Sequence, residues 1–348
     1  MTEQATTNDR HAWEQPGAFE VAADVHRIPL PLPGDGLKAV NVYALTGGTE
    51  LTLVDAGWAL AGARERLDAG LHELGLELGD VRRVLVTHVH RDHYELAVHL
   101  RRDVGSHVAL GHGERASLEA VSDPDVPEFA GIDAHLRWCG AAVLLDELRR
   151  IREGALASGE RSVDWQLPDS WLHHDQVVDL GDRRLRVVAT PGHTAGHVVF
   201  VDEAAGLLFA GDHILPHITP SVGFEGIPPR SALRDYLGSL LRVRALPDHP
   251  MLPAHGPVRP TTHDRIDVLL EHHDQRLAAT AAAVGPDGAT AAGVAAQLPW
   301  TRRERHFDEL DAFNRMLAVN ETAAHLQVLV DREALGVRDE DGVAIYRP

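Results

Sequence analysis

The sequence predicts a mixed α/β chain: two mixed β-sheets with helices on their outer faces, followed by a helical, winged-helix-like C-terminal unit. Three observations carry this expectation. Short β-rich runs come in hairpin-like pairs, as across Gly47-Gly48. Amphipathic helical patterns interrupt them without the strict strand–helix–strand repeat of a doubly wound sheet. After Pro260 the pattern changes to consecutive helices that end in a hairpin. The 348 residues, 44% hydrophobic and 24% charged, supply ample material for a buried core.

In chain order, residues 1–20 are polar and read as a flexible leader. Residues 25–30, 41–45 and 51–55 read as strands, and 59–74 as a helix that places Ala63, Leu67, Leu71 and Leu74 on one stripe. Val84, Leu85 and Val86 form a strand that delivers Thr87 and the histidines after it. A helix over 93–102 and a strand over 107–110 follow. Residues 113–160 are helical and irregular and read as an insertion. Strands return at 176–180, 185–189, 198–202 and 207–210. Thr261-Thr262-His263-Asp264 opens a helix in capping-box fashion, with Ile266, Leu269, Leu270 and Leu277 facing inward. Further helices are predicted at 290–298, 304–318 and 321–334, then a hairpin over 337–346 that turns at Asp341-Gly342. The domain reading is therefore a leader (1–20), a main domain (21–260) and a C-terminal subdomain (261–348).

Composition narrows the function classes. The N-terminus has no apolar run behind a basic segment, and no stretch approaches 18 uninterrupted apolar residues, so no membrane partner is expected. Cys139 stands alone, which fits a reducing, cytoplasmic compartment. The net charge of −19 argues against nucleic acid, whose affinity rests on cationic contacts to phosphate.

The sharpest feature is Thr87-His88-Val89-His90-Arg91-Asp92-His93. Neutral imidazole and carboxylate are donors that a borderline divalent ion prefers. His88 and His90, two apart on an extended segment, project to one side. Asp92 and His93, one turn later, can reach a second point a few ångströms away.

This H-x-H-x-D-H pattern resembles the metallo-β-lactamase superfamily, and four further motifs follow the resemblance. Thr190-Pro191-Gly192-His193-Thr194 matches its P-G-H-T turn, Phe209-Ala210-Gly211-Asp212 its strand-end aspartate, Leu252-Pro253-Ala254-His255-Gly256 its final histidine turn, and Val54-Asp55-Ala56-Gly57 its early aspartate motif. The resemblance implies an αββα four-layer sandwich. It also implies two divalent ions, zinc first, with manganese or iron as alternatives. One ion would take His88, His90 and His193, and the other Asp92, His93 and His255, with Asp212 and a hydroxide between them. Asp92 and Asp212 are then the catalytic carboxylates.

The P-G-H-T-x-G-H and A-H-G-P segments look most like the glyoxalase II and lactonase-like branch. The implied activity is hydrolysis of a small-molecule thioester, ester, lactone or other activated bond. A metal-dependent nuclease, or an iron-dependent sulfur or redox enzyme in the same cradle, is the alternative. A homodimer or an oligomer with a related subunit is a further expectation. Among the weaker candidates, His197 could orient a metal donor or touch substrate, and Asp55 reads as a buttress of the donor loop. His213 and His217 could line the pocket, and Tyr94 and Glu95 could narrow its mouth. His173-His174 and His272-His273 read as solvated pairs, and Trp138, Trp165 and Trp171 as core rather than a substrate cover.

Overall fold

The computed structural model describes residues 11–33, 36–123, 125–127, 129–157, 165–301 and 304–348. The chain runs β1 (Phe19–Ala22), β2 (Val25–Pro31), β3 (Ala39–Leu45), β4 (Leu51–Val54), α1 (Ala61–Glu73), β5 (Val81–Val86), α2 (Arg91–Val104) and β6 (His107–Gly111). Next come α3 (Arg115–Ser122), α4 (Ala130–Trp138), α5 (Ala142–Ala157), β7 (Ser170–Leu172), β8 (Val177–Asp179), β9 (Arg184–Ala189), β10 (Val198–Asp202) and β11 (Leu207–Gly211). The remainder is α6 (Ala232–Arg244), β12 (Met251–Pro253), α7 (His263–Ala283), α8 (Ala291–Ala295), α9 (Ala312–Asp331), β13 (Gly336–Glu340) and β14 (Val343–Arg347).

Strands β1 to β7 form one sheet in sequence order, antiparallel through β4 and parallel from β4 onward. The second sheet has the order β12-β11-β10-β9-β8, with only the β11/β12 pair parallel. Period-two alternation explains how these strands build four layers. In β5, Val84 and Val86 pack outward against Leu67 of α1 and Leu100 of α2, while Leu85 packs inward against the second sheet. In β9 and β10, Val187 and Phe200 face inward, whereas Val188, Val199 and Val201 meet Leu233 of α6, Ile266 of α7 and Val319 of α9. Tyr43 and Phe209 meet edge-on between the sheets at 5.5 Å. Burial of such a side chain contributes about 1.5–3 kcal/mol. The result is the expected αββα sandwich, helices outside and apolar strands inside.

Several local expectations are corrected. Within the stretch read as leader, residues 1–10 lie outside the described residues, but Phe19–Ala22 adds a strand to the first sheet and Arg27 donates to the Trp13 carbonyl at 2.6 Å. The capping box at α7 is not formed: Thr262 donates its hydroxyl to the His249 carbonyl instead, and its backbone N–H goes to Asp248. Instead of two helices over 304–318 and 321–334 there is one, α9, starting where the Asp311 side chain accepts from Asn314 N–H at 2.9 Å. Asn320 is buried inside it rather than breaking it. The terminal hairpin turns at Asp341 and Gly342, both with positive φ as a two-residue turn demands. One apolar cluster runs from the second sheet through α6, α7 and α9 to Tyr346 of β14. Among the described residues, no helix is long and apolar enough to cross a membrane.

Candidate metal centre

Every donor loop leaves a strand at the same edge of the sandwich. Strands β4 and β5 are parallel in one sheet, and β9, β11 and β12 point one way in the other. Their C-terminal ends carry, in order, Asp55, the 87–93 segment, the His193 turn, Asp212 and His255. Val198 N–H donates to the Thr87 carbonyl at 2.8 Å, tying the two sheets together at this edge.

The imidazole nitrogens of His88 (Nε2), His90 (Nδ1) and His193 (Nε2) converge to mutual distances of 3.0, 3.1 and 3.2 Å. Nitrogens bonded to one tetrahedral ion at about 2.0–2.1 Å would stand only slightly farther apart. A second group forms beside it. His255 Nε2 and His93 Nε2 lie 3.4 and 3.6 Å from Asp92 Oδ2. Asp212 spans both groups, its Oδ2 lying 3.5 Å from His193 Nε2 and its Oδ1 3.4 Å from His255 Nε2. The structure thus brings together all seven residues singled out from the sequence as donors.

The opposite ring nitrogens are all anchored. His90 Nε2 donates to the Phe224 carbonyl (2.6 Å), His193 Nδ1 to the Ser221 carbonyl (2.6 Å) and His255 Nδ1 to the Ala39 carbonyl (2.7 Å). His93 Nδ1 donates to Asp55 Oδ2 (2.9 Å), and His88 Nδ1 to Thr87 Oγ1 (3.0 Å). Asp55 also accepts from the backbone N–H and hydroxyl of Thr87. It adopts φ +61°, which an aspartate tolerates better than most residues. Asp55 is therefore a buttress. Such anchors fix the tautomer and leave the inner nitrogen bare for a metal.

Electrostatics agree. Burial, reinforced by neighbouring imidazoles, pushes His88 well below the ordinary histidine range and His193 down to about 4, so both are neutral donors. In the second group burial is overcome by charge. Asp92, then Asp55 and Asp212, raise His93 to about 9, and Asp212 with Asp92 raises His255 well above its ordinary value. Against the same burial penalty, His93 and His255 hold Asp92 and Asp212 below the carboxylate range. Protonated histidines among these carboxylates mark where a cation belongs. His93 Nε2, His255 Nε2 and Asp212 Oδ1 are buried with no hydrogen-bond partner, a costly state that a divalent ion relieves. The residues fit two metal ions.

His197 is a support of the site. Its Nε2 accepts from the Asp212 backbone N–H at 3.1 Å and its Nδ1 donates to Thr190 Oγ1 at 2.8 Å, while its ring stacks on His88. Gly211, at φ +51°, permits this approach, since a Cβ there would lie 2.7 Å from His197 Nε2. His213 is buried against Tyr236, and His217 is exposed. Tyr94 does not narrow the mouth: it is fully buried in the layer beneath α1 and α2 and donates to the Gln166 carbonyl. Glu95 accepts from Ala59 N–H. His173 and His174 are exposed as expected, but His273 is buried and pairs with His325 at 3.2 Å. The three tryptophans pack against the apolar clusters.

Two acids escaped the sequence reading. Glu114 accepts from Val89 N–H, between His88 and His90, and from the Thr194 hydroxyl beside His193. Glu225, next to the Phe224 carbonyl that holds His90, accepts from Ala195 N–H and Ser117. Burial, and for Glu114 also the neighbouring Glu225, pushes both carboxyls upward toward the protonated form. Asn41 likewise donates to the Pro253 and Gly256 carbonyls on either side of His255.

Fold and site together define a metal-binding hydrolytic enzyme. Residues 35–255 match the family model described as the metallo-beta-lactamase superfamily, and the chain belongs to that superfamily. A Bacillus subtilis (strain 168) protein described as "Probable metallo-hydrolase YqjP" is 26% identical over 325 residues, covering 89% of this chain and 92% of its own. Among solved structures, a metallo-beta-lactamase family protein from Thermus thermophilus aligns with a TM-score of 0.74 at 29% identity, covering 94% of this chain and 99% of its own. A beta-lactamase domain protein from Burkholderia ambifaria aligns with a TM-score of 0.75, also at 29% identity, over 95% of this chain and 94% of its own.

Proposed function

We propose that the protein is a dinuclear metal-dependent hydrolase of small molecules, cleaving a thioester, ester, lactone or similarly activated bond. The observation that carries this reading is the pair of donor groups sharing Asp212, one of three histidines and one of Asp92, His93 and His255. Divalent ions held by these residues would supply Lewis-acid chemistry, making bound water more acidic and polarising the scissile bond. The chain's own residues do the rest. Asp212 keeps the two groups in register, Asp55 and the three backbone carbonyls hold the imidazoles in the ligating tautomer, and His197 fixes the backbone of Asp212.

Asp92, about a fifth exposed, is with His90 one of the two donors that are only partly buried. Its place in the first turn of α2 suits a carboxylate, because the helix dipole is positive there. The net charge of −19 supports a small substrate over a polyanion. We read α7 to α9 and the β13/β14 hairpin as a winged-helix-like wall of the catalytic unit, supported by the apolar cluster they share with the second sheet. Zinc is the ion we favour, because three imidazoles make a characteristic zinc set.

The test is a hydrolysis panel of thioesters, lactones, aryl esters and single-stranded RNA, run on the wild type and Asp212→Ala. Turnover of a small ester, thioester or lactone that Asp212→Ala abolishes is expected. Turnover of RNA alone, or unchanged turnover in the variant, contradicts the reading.

A further inference from the structure

Phe224 serves the site twice. Its carbonyl accepts from His90 Nε2, and its ring lies 5.6 Å from the His90 ring. Phe313, in the first turn of α9, meets the Phe224 ring edge-on at 5.5 Å and 87°. Phe313 is 49% exposed, although its neighbours Ala312 and Met316 enter the core. A single exposed Phe needs no explanation. A row of rings running from a metal donor out to solvent is a different matter, because it places apolar surface beside His90 of the candidate metal centre.

The charged residues that flank these two in sequence, Glu225 and Arg315, are engaged elsewhere. Glu225 is buried on Ala195 N–H and Ser117, and Arg315, two residues after Phe313, is paired with Glu147 at 2.8 Å. The Asp311 cap on Asn314 N–H fixes the turn from which Phe313 projects. Among the described residues, the Phe224 ring meets those of His90 and Phe313, and the half-exposed Phe313 ring suits an apolar group.

We infer that Phe224 and Phe313 form an apolar subsite beside His90 that receives an aryl or branched-alkyl group adjoining the scissile bond of the substrate. The inference rests on the metallohydrolase reading and adds to it the chemical class of one group of the substrate. It also gives the C-terminal region a role, since Phe313 lies beyond the family-matched residues 35–255.

The experiment is a calorimetric titration of the metal-loaded protein with acetohydroxamate and with phenylacetohydroxamate. Both probes carry the same metal-chelating group and differ in the ring. One ring seated on an aromatic face predicts that phenylacetohydroxamate binds about tenfold tighter. Phe313→Ala should erase most of that preference, while Val143→Ala, which trims an 82% exposed side chain on α5, should keep it. Equal affinity for the two probes, or a preference that survives Phe313→Ala, overturns the subsite and leaves the metal centre standing. Failure of both probes to bind overturns the metal-centre reading, and the subsite falls with it.

Discussion

Asp55→Asn separates the tautomer-setting role of this residue from its contribution to the fold. Asp55 accepts three hydrogen bonds, from Thr87 N–H (2.8 Å), the Thr87 hydroxyl (3.0 Å) and His93 Nδ1–H (2.9 Å). Alanine would orphan these buried donors. At about 1–3 kcal/mol each, the loss of the Thr87 N–H and His93 partners alone costs about 2–6 kcal/mol. Asparagine keeps the shape and tolerates the positive φ. Its oxygen serves one side and its NH2 faces the other.

With the oxygen held by Thr87, the amide donates to His93 Nδ1 and drives the proton to Nε2, the atom that faces Asp92 and Asp212. The metal affinity of the second position then falls about 10–100-fold, equivalent to about 1.4–2.7 kcal/mol. Competition with a calibrated chelator measures this directly. Loss of one weakly held ion, with the second retained and the thermal midpoint little changed, is expected. Wild-type affinity at both positions would refute the reasoning.

Other outcomes follow from the same contacts. Adding zinc to metal-free protein near pH 7 should release protons, because His93, raised to about 9, and His255, raised well above its ordinary value, hold protons that the second ion displaces; an indicator dye in weak buffer reads the release, and none would contradict it. Gly192→Ala puts a Cβ 2.4 Å from the Tyr236 Cα at φ +139° and should lower stability by about 1–3 kcal/mol or more, whereas Gly62→Ala, with nothing nearby, should be neutral or stabilising on thermal denaturation. Glu114 has a raised folded pKa, so the native state holds a proton that the unfolded chain loses above about 4.5, and its contribution is complete below that pH and fades as pH rises. Glu114→Gln should therefore flatten the decline of the thermal midpoint between about pH 4.5 and about pH 8; an unchanged slope there would remove Glu114 as its source.

Of the candidate donors, His88, His90, Asp92 and His93 were legible from their spacing in one run at a strand end, whereas His193, Asp212 and His255 were legible only through the motifs of the family resemblance. The four-layer order came from the family resemblance, and two mixed sheets with outer helices were legible from hairpin-like strand pairs interrupted by helical patterns. Glu114, Glu225 and Asn41 were not, because each acts on backbone far away in sequence and carries no spacing signal of its own. Phe224 and Phe313 meet only because α9 packs across the second sheet. Tyr94 was misplaced toward the mouth because position beside a motif does not reveal which face of α2 a residue occupies; its neighbours Leu96 and Leu100 are buried with it. The break expected near Asn320 failed because tertiary packing carried the helix through a residue of poor propensity.

The most direct test of the central claim is elemental mass spectrometry of the purified protein and of Asp212→Ala under identical handling. Two divalent ions per wild-type chain, falling to one or fewer in the variant, are expected from a carboxylate shared by two metal positions. A wild type that holds no divalent metal after loading, or a variant that holds two as tightly as the wild type, would contradict the account.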